Sequence, residues 1–210
     1  MIYLIITSSL LTIRFQAAPE KRMDEYLTAI SETLYHLPAS IRPVIVENNG
    51  KRTTCLEQFT HHGQAVPVVY TTNNEQRYKS KGVNELLDLH EVIHRMNIQG
   101  NDIVIKLTGR YSMRSSVFFN EVITCESEYD AFIKFFNVCR MEFQEDDCVL
   151  GLYAIRAYLL KGWNPYSIEN HSSAEVAFAR YVRRSVPRIK EMNTLDVCCV
   201  FAEDGRILDV

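Results

Sequence analysis

The chain has 210 residues, 47% of them hydrophobic and 23% charged, enough to bury one substantial core or two small ones. Its net charge of -3 argues against a general binder of nucleic acid or anionic membrane, because affinity for a phosphate backbone comes from clustered Lys and Arg. No Pro/Gly/Ser-rich linker, low-complexity tract or internal repeat divides it, so residues 1–210 read as one domain.

Ile2 to Ile6 is a β-branched and aromatic run that stops at Thr7, Ser8 and Ser9, which favour loops. The surrounding stretch MIYLIITSSLLTIRF has no cationic lead and no clear cleavage motif, and is too short to span a bilayer; it reads as a first strand. Lys21 to His36 carries Met23, Tyr26, Leu27, Ile30 and Leu34 at helical spacing. Val44 to Val46 is a short strand ending in Glu47, Asn48, Asn49 and Gly50, and Pro67 to Thr71 repeats the pattern before TTNNEQ. A second helix from Lys81 or Gly82 turns Val83, Leu86, Leu87, Val92 and Ile93 inward and ends at Asn97 to Gly100. Ile103 to Ile105 is a buried strand, followed at once by Lys106, Thr108, Gly109, Arg110 and Tyr111. Beyond it, Ser127 to Met141 reads as helix and Val149 to Leu160 as strand or helix. Ser172 to Met192 reads as a long helix that Pro187 would kink or end early. Leu195 to Ala202 is a strand running to an Asp204-Gly205 turn. The close at Leu208-Asp209-Val210, just after a strand and turn, raises the expectation of a first domain within a longer protein.

Six cysteines, Cys55, Cys125, Cys139, Cys148, Cys198 and Cys199, show no CxxC and no metal spacing, and read as reduced core thiols of a cytosolic protein. Arg180, Arg183, Arg184, Arg188 and Lys190 read first as the solvated face of a helix.

Alternating strands and helices predict an α/β fold with a central, mainly parallel (mixed) sheet flanked by helices. In such a sheet the ligand lies outside the carboxyl ends of the strands. That rule gathers Thr7, Ser8 and Ser9, then Glu47 and Asn48, then Thr71 to Gln76, then Thr108 to Tyr111. Lys106, Arg110, Arg77 and Lys81 lie at or just beyond those ends, and cations there, beside a glycine and a helix N-terminus, suit a phosphorylated ligand. Glu47 is placed to accept from a ribose hydroxyl or a base N–H. Each has a plainer reading: Lys106 snorkelling to water, Arg110 in a surface ion pair, Glu47 in a turn, Tyr111 as a core-edge aromatic.

No Walker-type phosphate loop and no G-x-G-x-x-G are present. His90, Glu91 and His94 match the H-E-x-x-H zinc pattern, but a third ligand is required downstream and His171 is the one later histidine. A zinc metalloprotease is therefore a minor alternative, behind a module that binds a nucleotide or sugar without chemistry.

At KLTGRY, Lys106 to Tyr111, the chain resembles GT-A-type nucleotide-sugar glycosyltransferases, among them one encoded by chlorella viruses. Weaker matches are Thr7-Ser8-Ser9, Arg22 and Tyr26, Ile45 to Asn48, Lys81 to Glu85, and Glu175. The resemblance implies a UDP-sugar donor across the strand ends, a divalent cation, Mn²⁺ or Mg²⁺, on the diphosphate, and a glycan acceptor, in the cytoplasm of a host if the protein is viral. It implies that Thr7, Ser9 and Glu47 touch the uridine, and that Arg77, Lys81 and Asn84 reach the diphosphate or sugar. Thr108, Gly109, Arg110 and Tyr111 then stand where relatives carry Asp-x-Asp, which leaves the metal's protein ligands open. Either Arg110 and Lys106 neutralise the leaving UDP, or a metal binds chiefly through the diphosphate and water, with a distant carboxylate or His171 completing the shell. Glu169, His171 and Glu175 are the candidates for a group acting on the acceptor hydroxyl, with Trp163 and Tyr166 as stacking candidates.

Overall fold

The computed structural model describes residues 1–10, 19–50, 52–73, 80–135, 147–169, 173–200 and 207–210. The hydrophobic alternation of the first strand sets the layers. In β1, Ile2–Ser8, the side chains of Ile2, Leu4 and Ile6 enter one core cluster, and Tyr3 and Ile5 enter another on the opposite face. A strand apolar on both faces needs cover on both.

Helix α1, Pro19–His36, supplies Tyr26, Ile30 and Leu34 to the first cluster. The chain then runs through β2, Ile41–Glu47, the hairpin of β3, Thr60–His61, and β4, Gln64–Ala65, and β5, Val68–Tyr70. Helix α2, Lys81–Arg95, covers the other face with Val83, Leu86, Leu89, Val92 and Ile93. After β6, Ile103–Thr108, and β7, Ser112–Met113, comes α3, Val117–Cys125, which packs Phe118, Phe119 and Val122 on the first cluster. The remaining elements are β8, Ala131–Ile133, β9, Leu152–Arg156, α4, Ala157–Gly162, α5, Tyr166–Glu169, α6, Ala174–Ser185, β10, Ile189–Glu191, β11, Val197–Val200, and β12, Ile207–Asp209.

Among the described residues, seven strands form the central sheet in the order β10-β8-β9-β6-β1-β2-β5. β5, β2, β1 and β6 pair in parallel, β9 runs against its neighbours β6 and β8, and β10 lies parallel to β8. The expected mainly parallel, mixed sheet flanked by helices is the observed one. A small second sheet, β12-β11-β7, packs on the first core cluster through Met113, Val197 and Cys199.

Three expected elements change. The helix expected over Ser127 to Met141 is instead, where described, the strand β8: Ala131, Phe132 and Ile133 are buried on both faces, a run too short to separate strand from helix by period alone. Val149 to Leu160 contains both of the expected alternatives in series, β9 and then α4. The long helix stops at Ser185, two residues before Pro187, and the rest of its span turns into β10.

The basic cluster is largely paired: Arg188 forks onto Asp130 at 2.8 and 2.9 Å, Lys190 meets Glu121, and Arg183 covers the Phe135 ring at 4.0 Å. The Arg188 guanidinium holds the Asp130 carboxyl below the usual carboxylate range. Five described cysteines are free thiols, and of these Cys55 is exposed rather than in the core. No helix among the described residues is long and apolar enough to cross a membrane.

Where β9 begins beside the end of β6, Gly151 lies flat against the Tyr111 ring, and a Cβ there would fall 2.0 Å from Tyr111 Cε2. Gly151→Ala is expected to cost roughly 1–3 kcal/mol and to lower Tm by roughly 2–10 °C, read by thermal unfolding.

Candidate active site

Register brings the polar strand ends level. Thr7 pairs with Thr108 on one side and Val46 on the other, and Ser8 with Glu47. The strands are about 4.8 Å apart, so β6, β1 and β2 present their ends across about 10 Å. A cleft of about 290 Å³ opens there. Its strand-side lining includes Thr7, Ser8, Ser9, Asn48, Thr108 and Arg110. Helix α1 adds Arg22 and Tyr26, the first turns of α2 add Lys81, Asn84 and Glu85, and Leu150 and Glu175 close another side.

Gly109 allows the closest approach. Its N–H donates to Thr7 O at 2.8 Å, and a Cβ there would lie 2.7 Å from that oxygen and 2.9 Å from the Tyr26 ring. Tyr26 in turn lies under two guanidinium groups, Arg22 at 5.2 Å and Arg110 at 6.0 Å from its ring centre. Arg22 Nε donates to Ser9 O at 2.8 Å. Among the described residues, Arg110 Nε, Asn84 Oδ1 and Asn48 Oδ1 are buried and have no hydrogen-bond partner. Three such atoms beside one cleft are unusual, because a buried polar group without a partner costs about 1–3 kcal/mol. Helix α2 begins at the same cleft with no side-chain cap from Ser80 and no acidic residue in its first turn, which leaves its N-terminal field suited to an anion.

Two residues expected to touch a ligand lie beneath the surface instead. Glu47 is fully buried: Ser8 Oγ donates to its Oε2 at 2.6 Å, and Leu10 N–H reaches both carboxylate oxygens at 3.1 Å. Lys106 is 1% exposed, and its ammonium donates to Thr108 Oγ1 at 2.8 Å and Leu150 O at 2.9 Å while pairing with Glu85 Oε1 at 2.9 Å. Tyr111 packs on Gly151, off the cleft. Trp163 is buried, stacked on Tyr181 at 5.8 Å and against Phe178 at 4.8 Å, a packing role. Glu175 lines the cleft and accepts from Ser173 Oγ at 2.6 Å. Arg77 and His171 lie outside the described residues, as do the side chains of Glu169 and Tyr166.

Asp88 is a cleft residue that the sequence reading did not single out. It is 1% exposed and accepts from Thr71 Oγ1 at 2.5 Å, Asn73 Nδ2 at 2.9 Å and Asn48 Nδ2 at 3.1 Å. Burial outweighs those bonds and pushes its carboxyl up to about 6, with Glu85 adding repulsion. The signal was available: Lys81, Glu85 and Asp88 recur at i, i+4 and i+7, one stripe of α2.

In the HEVIH segment, His90 Nε2 meets Leu160 O at 2.8 Å, Glu91 pairs with Arg95, and His94 is exposed. Burial lowers the His90 pKa. No group of three or more His, Cys, Asp or Glu side chains suited to a metal exists among the described residues.

Known structures match this architecture over nearly the whole chain. A Desulfovibrio desulfuricans G20 protein assigned as a nucleotide-diphospho-sugar transferase superposes with TM-score 0.57 at 11% identity, covering 91% of this chain and 79% of that one. The fold is GT-A-like. Residues 1–349 of S. aureus TarS match this GT-A-like chain with TM-score 0.54 at 14% identity, over 93% of this chain and 59% of that one. The mannosyltransferase PcManGT from Pyrobaculum calidifontis, in complex with GDP-Man and Mn²⁺, matches with TM-score 0.52 at 15% identity, over 91% and 54%. No family model and no curated protein sequence matches the chain.

A metal on this GT-A-like fold finds no ready cage among the described residues. Asp88 is occupied by three donors, and Glu85 Oε1 by Lys106 and Thr7. The one carboxylate that remains on the described lining, Glu175, suits a metal held chiefly by ligand phosphates and water, as hard cations often are.

Asp88 gives a pH test. Its folded pKa of about 6 lies above the ordinary 3.8, so folding is favoured by its proton. The contribution is complete below pH about 4 and lost as pH rises through about 6, roughly 3 kcal/mol in all. Unfolding free energies measured from pH 4 to 8 are expected to decline across that window in the wild type, and Asp88→Asn to remove that component.

Proposed function

We propose that the chain is a glycosyltransferase that moves a hexose from a UDP-sugar to a glycan acceptor. The observation that carries this reading is Arg110: a buried guanidinium nitrogen without a partner among the described residues, just past the end of a parallel strand, facing a cleft also lined by the N-terminus of α2, which has no side-chain cap from Ser80. A diphosphate satisfies both at once.

In this reading the nucleoside lies over the ends of β1 and β2, near Thr7, Ser8, Ser9 and Asn48, and the diphosphate lies toward Arg110, Lys81 and Asn84. Glu47 holds Ser8 and the backbone of Leu10 rather than meeting the uridine itself. Arg77 is a further candidate for the diphosphate. A divalent cation, when bound with the donor, would neutralise charge on the diphosphate. Transfer breaks the bond from the anomeric carbon to the UDP oxygen and forms one to the acceptor hydroxyl oxygen, whose proton passes to a base. Glu175 is the candidate base that lines the cleft, with Glu169 and His171 as the others. Arg110 stabilises the negative charge that develops on UDP as it leaves. The sequence resemblance at KLTGRY to a chlorella-virus enzyme extends the proposal to glycans of viral glycoproteins made in the host cytoplasm, by a single GT-A-like domain.

Calorimetric titration with UDP, GDP and CMP, each with and without Mn²⁺, tests the donor. UDP is expected to bind, more tightly with the metal. Arg110→Ala is expected to weaken it by roughly tenfold to a hundredfold, the loss of a charge-assisted hydrogen bond. His94→Ala is expected to leave it unchanged. Release of UDP from UDP-sugars in the presence of acceptor glycans separates a transferase from a module that binds without chemistry, and no nucleotide binding under any condition would refute the reading.

A further inference from the structure

A carboxylate on the wall of a cleft for diphosphates is an electrostatic contradiction. Glu85 is such a group: it lines the cleft, and its side chain is 26% exposed. Its surroundings resolve the conflict from below. Lys106 projects from β6 toward the α2 face of the sheet, where Val104, two residues earlier, enters the second core cluster. Its ammonium spends all three of its protons inside the protein, one of them on Glu85 Oε1. Thr7 Oγ1 donates to the same oxygen at 2.5 Å. The ammonium therefore anchors Glu85, Thr108 and Leu150, three residues of the cleft lining, without reaching the cleft.

We propose that Lys106 is a positioning residue that cancels the charge of Glu85, so that the two form a neutral unit in the floor of the cleft and a diphosphate can lie beside a carboxylate. The ion pair with Glu85 and the bonds to Thr108 and Leu150 offset the cost of burying the Lys106 ammonium. Exposed at the cleft and without Lys106, Glu85 would repel an anion several ångströms away, which at the effective dielectric of a protein surface is worth about tenfold in affinity. The inference rests on the sugar-nucleotide reading above.

Titration of uridine and UDP into the wild type, Glu85→Gln, Lys106→Met and the double variant tests it. Glu85→Gln is expected to tighten UDP by about tenfold, because the ammonium is then unopposed, and to leave uridine within about threefold. Lys106→Met is expected to weaken UDP by about tenfold with little change for uridine, and the double variant to restore UDP to near the wild-type value. A merely structural Lys106 would weaken uridine and UDP alike, with no rescue by Glu85→Gln; that result overturns the proposal. Should Lys106→Met fail to fold, Glu85→Gln decides alone, since unchanged or weaker UDP binding contradicts the neutral unit. A wild type that binds neither compound refutes the sugar-nucleotide reading and this inference with it, whereas normal UDP binding without these charge effects sinks the inference alone.

Discussion

Strand β1 is hydrogen-bonded on both edges and covered on both faces, and that enclosure governs the rest of the molecule. Leu4, Ile5 and Ile6 have no exposure at all. A strand in this position has no route by which a polar side chain can reach water along its length, so chemistry is confined to its end. Because β2 and β6 run in register beside it, their ends are confined to the same line. The cleft is where the central strands stop being core.

Polar groups brought this close to the core have to be satisfied internally, and the protein does so in linked sets. Glu47 is held by Ser8 and the Leu10 amide, Asp88 by Thr71, Asn73 and Asn48, and Lys106 by Glu85, Thr108 and Leu150. Each set ties a strand end to a neighbouring segment or to α2, so the lining is fixed by bonds made behind it. The cleft atoms left over among the described residues, Arg110 Nε, Asn84 Oδ1 and Asn48 Oδ1, are conspicuous against that background of satisfaction.

The sequence was most readable where a single physical rule decides. The apolar runs of β1, β2 and β6 and the helical periods of α1 and α2 led to a parallel core, the rule of carboxyl ends led to Thr7, Ser8, Ser9, Asn48, Lys81, Thr108 and Arg110, and the family resemblance led to Asn84, all on the cleft lining. Depth was not readable. Glu47 and Lys106 occupy the expected ends but point into the protein, because side-chain direction at a strand's last residues depends on which partner waits on each face. β8 was mistaken for helix because three buried residues carry no period. The β3–β4 hairpin escaped notice because its turn, His62-Gly63, uses positive φ at both residues with a histidine in place of the usual Asn or Asp.

The contact between α2 and α6 has a mechanical side. A Cβ at Gly82 would lie 2.5 Å from the Ala174 Cβ, so the opening turns of the two helices touch with no slack between them. Closely packed interiors transmit displacement rather than absorb it. The wall bearing Glu175 and the wall bearing Lys81 and Asn84 are therefore coupled: a shift of one is passed to the other, and through Glu85 and Asp88 to the strand ends that they hold.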